Sequence, residues 1–419
     1  MPSEIQTPPS GPEFIENLAK LAEICLTVGV NLQPEQELII NAPLEASTLV
    51  QQVVRIAYQR GAKLVTCLYD DPSSIRARLE HSKPEHLDHA TTWLSRGVTK
   101  ALEAGAARLF VVAPYPDLLS GVAVDRIVRV HAATGKATSQ EMAYTAESRV
   151  NWSTVPFATA SWARTVFPDC APEVALEKLW HAVFNATRVH EAEPVLAWHA
   201  QQARLAARRD FLQDKRFSAL RLYDGKTDLT VGLADGHRWV GGAVVGKNGV
   251  ECLSNIPTEE VFSCPHRERT TGRMFLSKPL ALGGTLVEDA CVEFRDGCVF
   301  SVQAKHGQET LEKLLASDEG ARRLGEVGLV PHSSPISASN ILFYNALFDE
   351  NAASHVAFGQ SYAACLMGDH STPEARQRAG ANSSTIHIDS MLGSASMNVD
   401  GFSASGQIEP IMRQGEFLR

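Results

Sequence analysis

Residues 37–70 read ELIINAPLEASTLVQQVVRIAYQRGAKLVTCLYD, a succession that predicts a strand, a helix and a second strand. The segment 37–43 is a short apolar run, and 45–61 places its apolar residues at helical spacing before ending at Gly61. The segment 62–70 is again short and apolar. Because a strand–helix–strand unit builds a parallel sheet with helices on its faces, we predict an α/β fold here.

The pattern repeats downstream and then changes. Residues 101–117 again predict a helix, a glycine and a strand, and residues 172–217 are helical in pattern. Beyond residue 217 the sequence alternates and contains Asp-Gly pairs at 224–225 and 235–236, which favour antiparallel hairpins. We therefore predict an α/β N-terminal domain at 1–200 and an α+β, strand-rich C-terminal domain at 201–419, with the boundary near 190–217.

The composition and length are those of an ordinary globular protein. Its 419 residues exceed the length at which single cores stop growing, about 250–300, so two domains are the default. The formal net charge of −9 argues against nucleic acid as a partner, which needs a basic face. The most apolar windows are too short and too proline-broken to span a membrane. We therefore expect neither nucleic acid nor membrane as a partner.

The N-terminal segment and the cysteines predict the compartment. Residues 1–14, MPSEIQTPPSGPEF, lack the basic and apolar pattern of a secretory leader. The eight cysteines are scattered without CxxC pairs, which indicates reduced thiols rather than a disulfide framework or a zinc ribbon. We expect a soluble, cytoplasmic protein.

Several motifs that suggest ligand binding are incomplete. The segment GGAVVGKN (241–248) fits G-x-x-x-x-G-K, but Asn248 stands where a P-loop needs Ser or Thr, and a turn and a strand follow in place of a helix. His81, His86 and His89 lie in a charged, proline-containing stretch typical of a solvated helix start. The sequence contains neither the dinucleotide fingerprint G-x-G-x-x-G after a strand nor the hydrolase motif G-x-S-x-G.

The segment NSSTIHIDSMLGS (382–394) contains a histidine and an aspartate whose spacing suggests a functional site. Residues 384–391 are predicted as a strand, and side chains at i and i+2 of a strand share a face. His387 and Asp389 therefore point the same way. Three interpretations remain open at this point: a metal site, a His–Asp pair that orients a nucleophile, or a buried structural pair.

Further acids and a histidine in residues 255–401 are embedded in apolar or small residues. Each has an ordinary explanation, such as a turn residue, a helix cap, a core histidine or a packed tyrosine. Ionised carboxylates are costly to bury without a cation or hydrogen-bond partners, and carboxylates with imidazoles suit zinc, cobalt or manganese. Their number suits two metals that share a carboxylate. The residues are Glu259, Glu260, Glu326, Glu350, His355 and Tyr362.

Several separated motifs, taken together, resemble the M29 family of metallo-aminopeptidases, of the aminopeptidase T type. Two of them are NIPTEEVFSCPHRERTTGRM (255–274) and HVAFGQSY (355–362), followed by NSSTIHIDSMLGS. In the N-terminal half, NWSTVPFATASWARTVFP (151–168) and EKLWHAVFNATRV (177–189) are also similar to that family. The resemblance thus covers nearly the whole chain.

The resemblance implies a set of site residues. Of the two acids in the PTEEVF motif we choose Glu260, with Glu259 as the fallback, and Tyr362 matches a tyrosine at the family's active site. The metal ligands that the resemblance implies are Glu260, Glu326, Glu350, His355, His387 and Asp389.

The resemblance also implies an activity. The expected reaction is removal of N-terminal residues from short peptides by a water activated between two divalent ions (Co, Zn, Mg or Mn) per subunit, with the site in the C-terminal domain of a homodimer. Glu260 is the expected base and Tyr362 the expected oxyanion donor. Two alternatives are a ring-cleaving dioxygenase on the same scaffold and a non-catalytic ligand-binding protein. The retention of Glu260, Glu326 and Glu350 favours the peptidase.

Overall fold

The computed structural model describes residues 11–418 except 117, 283–284 and 369–371. The first ten residues, on which the expectation about a leader rests, lie outside the described part. The chain divides into two compact units. One unit contains the residues up to Ala200 together with Ala243–Pro257, and the other contains Gln201–Gly242 and the residues from Thr258 onward.

The helices are amphipathic segments distributed over both units. Several begin with proline at their first position, where its missing N–H costs nothing. In chain order they are α1 (Pro12–Ile24), α2 (Ser47–Gln59), α3 (Pro72–His81), α4 (Thr92–Glu103), α5 (Val124–Ala146), α6 (Ala160–Val166), α7 (Pro172–Ala186), α8 (Pro194–Lys215), α9 (Gln308–Leu315), α10 (Pro335–Ser339), α11 (Ala346–Asp349) and α12 (Pro373–Arg378). Within the described residues, none of them is long and apolar enough to cross a membrane.

Most of the strands belong to the second unit. In chain order they are β1 (Glu37–Pro43), β2 (Leu64–Asp70), β3 (Ala107–Val112), β4 (Trp152–Pro156), β5 (Ala219–Tyr223), β6 (Asp228–Leu233), β7 (Val244–Val245), β8 (Glu251–Cys252), β9 (Val261–Ser263), β10 (Pro265–Phe275), β11 (Leu280–Leu282), β12 (Thr285–Val287), β13 (Cys291–Arg295), β14 (Cys298–Gln303), β15 (Leu324–Leu329), β16 (His355–Gly359), β17 (His387–Met391), β18 (Asn398–Phe402), β19 (Ile408–Arg413) and β20 (Glu416–Phe417).

The first unit is built on a parallel sheet, as its strand–helix–strand pattern predicts. The strand order is β2-β1-β3-β4, and all neighbours run parallel. β1 is the apolar run quoted first, α2 is the helix after it, and β2 is the second strand. The α/β prediction for this part of the chain is confirmed.

The second unit is strand-rich and antiparallel, again as predicted. One sheet has the order β14-β13-β10-β6-β5-β18-β19-β20, and a second has the order β17-β16-β15-β9. Buried apolar residues from both sheets, among them Val231, Val292, Val327 and Phe358, belong to one core cluster. The second sheet therefore has one face in the core and its other face available for polar side chains.

The two Asp-Gly pairs lie in different kinds of connection between strands. Asp224-Gly225 lies in the loop of the β5–β6 hairpin, where the Asp224 carboxylate accepts the N–H groups of Lys226 and Thr227. Asp235-Gly236 does not join a hairpin, which corrects that expectation. Beyond it the chain meets distant segments through the bridges His237↔Leu366 and Val240↔Phe262.

The strand predicted for residues 384–391 begins later, at His387. The residues before it bind the carboxylate of Asp318, which accepts hydrogen bonds from the Ser384 hydroxyl and from the N–H and hydroxyl of Thr385. The Thr385 N–H is thereby bound by a side-chain acceptor rather than by a neighbouring strand. These hydrogen bonds lower the pKa of Asp318 to about 2. They fix the chain immediately before β17.

Candidate metal centre

Four of the candidate side chains lie on one face of the β17-β16-β15-β9 sheet. Glu326 on β15 is paired with Ala357 on β16, and Ala357 is paired in turn with Asp389 on β17. Residues directly opposite each other on neighbouring strands share a face. His355 and His387 occupy this face because they stand two residues from Ala357 and Asp389 respectively.

Small residues on the same face make room for the acids and imidazoles. Gly328 is paired with His355, and Gly359 with His387. A Cβ atom at Gly328 would lie 2.4 Å from both Cε1 and Nε2 of His355. The missing side chain at Gly328 therefore leaves the space that the His355 imidazole occupies, whereas Gly359 makes room for the backbone of Ile386.

We expect Gly328→Ala to displace the His355 imidazole. Overpacking a buried site costs about 1–3 kcal/mol of stability, and a shifted ligand weakens metal affinity by about 10–100-fold. Chelator-competition titration of zinc and thermal unfolding of the variant measure the two effects. Gly225→Ala is the control, because nothing lies within 4 Å of a Cβ there. Wild-type zinc affinity in Gly328→Ala would contradict this account of the sheet face.

Glu260 and Glu350 approach the same centre from outside the strand ladders. Glu260 immediately precedes β9, and Glu350 opens the short 3-10 turn Glu350–Ala352. Oε2 of Glu260 lies 3.2 Å from Nε2 of His355. The neighbouring Glu259 instead accepts a hydrogen bond of 2.8 Å from Nε2 of Gln201. Of the adjacent acids, it is therefore Glu260 that contacts a candidate ligand.

The nitrogen and oxygen atoms of the centre are closely spaced. Nε2 of His355 lies 3.4 Å from Oε1 of Glu326 and 4.0 Å from Oδ1 of Asp389. Nε2 of His387 lies 3.4 Å from Oδ1 of Asp389 and 3.7 Å from Oε2 of Glu326. One donor atom from each of Glu260, Glu326 and His355 falls within 4.8 Å of the others, which is compatible with a shared cation.

Both imidazoles have their second nitrogen occupied by a backbone carbonyl. Nδ1 of His355 is 3.2 Å from the carbonyl oxygen of Ala353, and Nδ1 of His387 is 2.7 Å from that of Gln360. A carbonyl only accepts, so each Nδ1 carries the proton and donates it. In the neutral imidazole, Nε2 then presents its lone pair to the carboxylates. This is the arrangement in which histidines bind metals, with the other nitrogen held by an outer partner.

Burial strongly perturbs the acids. Burial raises the pKa of Glu326 to about 7 against the opposing contact with His355, and the charges of Glu260 and Asp389 add to the rise. Burial, followed by the charges of Glu260 and Asp389, raises the pKa of Glu350 well above its ordinary value. Carboxyl groups packed this closely need positive charge beside them.

The pKa values of the two histidines are also raised, but by their acidic neighbours and against the effect of burial. Burial lowers the pKa of an imidazole, but contacts with Glu260 and Glu326 outweigh it and raise the pKa of His355 well above its usual value. For His387, the partner Asp389 outweighs burial and raises the pKa to about 9. For the Asp389 carboxyl, burial acts to raise the pKa. The neighbouring His387 and His355 outweigh burial and bring that pKa below its ordinary value. Protons on the imidazoles or bound cations can supply the positive charge.

The donor set fits divalent metal ions. Apart from their contacts with the imidazole nitrogens, Oε2 of Glu260 and Oε2 of Glu326 are buried without a hydrogen-bond partner in the described part of the chain. A buried carboxylate oxygen left without a partner is costly unless a cation binds it. Mixed carboxylate and imidazole ligands suit zinc, cobalt and manganese.

Tyr362 stands at the rim of the centre. Its ring centroid is 4.7 Å from that of His387, and the residue is 46% exposed. Burial of the hydroxyl side, followed by the charges of Glu326 and Asp389, raises the pKa of Tyr362 above its usual value. The hydroxyl therefore stays protonated and remains a hydrogen-bond donor.

The sequence did not single out the residues that hold the ligands in place. The alternation of small residues with acids and histidines in GEVG and HVAFG was the available indication of Gly328, Ala357 and Gly359. No sequence pattern around Asn351 indicates its role. Its side-chain amide contacts two of the segments that carry candidate acids. The incomplete P-loop pattern at 241–248 is followed by the short strand β8 rather than by a helix.

An antiparallel sheet that presents buried carboxylates and two oriented imidazoles defines a metal-dependent enzyme. The family model described as thermophilic metalloprotease (M29) matches residues 14–417. Aminopeptidase T of Thermus aquaticus is 47% identical over 405 residues, which cover 97% of this chain and 99% of the relative. Aminopeptidase 2 of Geobacillus stearothermophilus is 41% identical over 404 residues, or 96% of this chain and 98% of the relative.

The fold agrees with a solved relative. The structure of wild-type AmpT from Thermus thermophilus superimposes with a TM-score of 0.91 at 44% identity, and the match covers 97% of this chain and 100% of that one. The chain therefore belongs to the M29 family of metallopeptidases, of the aminopeptidase T type. It is a metal-dependent aminopeptidase, and the resemblance seen in the sequence is confirmed.

Proposed function

We propose that the protein removes N-terminal residues from short peptides with two divalent ions bound in each subunit. The observation that carries the proposal is the pair of imidazoles whose Nδ1 atoms are tied to carbonyls while their Nε2 atoms face buried carboxylates. Co, Zn, Mg and Mn are the candidate metals. The proposed ligands are Glu260, Glu326, Glu350, His355, His387 and Asp389.

The proposed roles follow from where the side chains stand. Bound divalent ions supply a water of lowered pKa and polarise the scissile carbonyl. Glu260 accepts the proton of the attacking water, because its buried carboxylate faces the centre, with Oε2 3.2 Å from Nε2 of His355. The protonated hydroxyl of Tyr362 donates a hydrogen bond to the oxygen that gains negative charge during attack. Carboxylates around the centre hold the free α-amine of the substrate, which explains an exopeptidase.

Three further proposals complete the account. The catalytic domain is residues 201–419, which contain every proposed ligand. The protein acts as a homodimer, as the family resemblance implies. It works in the cytoplasm, and its eight free cysteines agree with a reducing compartment.

Neither alternative is favoured by the observations. The curated relatives described above are named aminopeptidases, which gives no support to ring cleavage. A purely structural acid cluster would have its carboxylates satisfied by hydrogen bonds. Oε2 of Glu260 and Oε2 of Glu326 instead face the Nε2 atoms of His355 and His387, at 3.2 Å and 3.7 Å, and have no other hydrogen-bond partner among the described residues.

The proposal is tested with matched peptides that differ only at the N-terminus. We expect the metal-loaded protein to release leucine from leucyl di- and tripeptides, while the N-acetylated forms of the same peptides remain intact. Chromatographic detection of the free residue distinguishes N-terminal removal from internal cleavage. Cleavage of the acetylated peptides at the same rate would contradict an exopeptidase that binds the α-amine.

A further inference from the structure

Two of the proposed ligands lack the support that the other four receive from the sheet. Glu326, His355, His387 and Asp389 lie on strands whose ladders fix their positions. The segment that carries Glu260 and the 3-10 turn that carries Glu350 lie outside those ladders. Ligands on irregular backbone need other bonds to hold them within the tolerance that a metal site requires.

The side chain of Asn351 bonds to both irregular segments. Its Oδ1 accepts the backbone N–H of Glu259 at 2.6 Å, next to Glu260 in the chain. Its Nδ2 donates to the carbonyl of Leu347 at 3.1 Å and to Oε1 of Glu350 at 3.4 Å. The residue is fully buried, at 0% exposure. One amide therefore joins the segment of Glu260 to Glu350.

The chemistry of the amide suits this position. The Glu259 N–H needs an acceptor, whereas the Leu347 carbonyl and the Glu350 carboxylate need a donor. An Asn side chain carries an acceptor and two donor hydrogens on one planar group, so all three partners are satisfied in one orientation. An aspartate of the same shape would face Glu350 and the Leu347 carbonyl with an acceptor, and alanine would leave the buried Glu259 N–H unpaired.

The Glu259 side chain secures the same segment from its other side. Its carboxylate accepts from Gln201, and Oε1 of Gln201 is in turn held by Arg204 at 2.7 Å from Nη2. Glu259 thus turns away from the centre while its backbone N–H bonds to Asn351. The side chain of Glu259 therefore helps to hold the segment, whereas the adjacent Glu260 faces the centre.

We propose that Asn351 is a positioning residue that sets the spacing between Glu260 and Glu350 for metal binding. The inference rests on the proposed two-ion function, because it assigns a role relative to those ligands. Outer groups that hold metal ligands typically contribute about 10–100-fold to metal affinity. Loss of the amide should therefore weaken metal binding without removing any ligand.

The test compares Asn351→Asp and Asn351→Ala with Ser334→Ala in the full-length protein. The Ser334 hydroxyl donates to the backbone carbonyl of Asn351 at 3.0 Å, so its removal perturbs the same residue but leaves the amide in place. Zinc and cobalt affinities are measured by chelator competition, and the visible absorption of bound cobalt reports coordination geometry. Thermal unfolding of the metal-free proteins reports the structural effect separately.

We expect about 10–100-fold weaker metal binding and an altered cobalt spectrum in both Asn351 variants, and wild-type values in Ser334→Ala. If Asn351→Asp does not fold, Asn351→Ala decides, because it removes the amide without adding a charge. Wild-type metal affinity and an unchanged cobalt spectrum in Asn351→Ala would overturn the inference. Failure of the unmodified protein to bind metal would instead overturn the proposed function.

Discussion

Glu260→Gln is expected to lower the turnover of leucyl peptides by about 10²–10⁴-fold, the range in which a general base contributes. Glutamine keeps the shape of the side chain and one ligand oxygen but cannot accept the proton of water. Metal content should therefore fall only partly. Steady-state kinetics with the metal content of each preparation measured in parallel separates the two effects.

Glu259→Gln is the matched comparison for this variant. It changes the adjacent acid, also buried, whose carboxylate accepts from Gln201. We expect a far smaller loss of turnover in Glu259→Gln than in Glu260→Gln. Unchanged turnover in Glu260→Gln would exclude Glu260 as the base. A large loss confined to Glu259→Gln would assign the role of base to Glu259.

Removal of the metal is expected to abolish peptide hydrolysis, and adding back cobalt, zinc, magnesium or manganese should restore it. The reason is that, in the proposed mechanism, the bound ions lower the pKa of the attacking water and polarise the scissile carbonyl. Activity is measured on leucyl peptides before chelation, after chelation and after each addition. The metal that restores most activity becomes the first candidate for the cellular ion.

The control for metal removal is dialysis without chelator, together with circular dichroism of the stripped protein. Retained secondary structure would show that lost activity reflects lost metal rather than unfolding. Full activity in protein shown to be metal-free would contradict the proposed chemistry. Absence of hydrolysis across a broad peptide panel, with metal demonstrably rebound, would return ring cleavage and ligand binding to consideration.

Much of the fold followed from periodicity and turn residues. The strand–helix–strand pattern of residues 37–70 predicted β1, α2 and β2 because short apolar runs, helical spacing and a terminating glycine together distinguish these elements. The segment Ala243–Pro257 could not be placed in this way. It packs with the first unit through the parallel bridge Thr154↔Asn255, a contact between residues far apart in the chain.

The candidate site was predictable in residue type but not in geometry. The i and i+2 spacing of His387 and Asp389 correctly placed both on one face of β17, since strand geometry is local. The choice of Glu260 over Glu259 came from the family resemblance, because adjacent acids in a turn have no periodicity to separate them. The role of Asn351 depends on contacts with Glu259 and Glu350, which only the folded chain brings together.

The most direct test of the two-ion centre is anomalous diffraction from crystals of the zinc-loaded protein, measured on both sides of the zinc absorption edge. We predict two anomalous peaks per chain, about 3.5–4 Å apart, within bonding distance of the proposed acids and of Nε2 of His355 and His387. A single peak would contradict the two-ion mechanism. Peaks bound elsewhere, with these side chains free of metal, would contradict the ligand assignment itself.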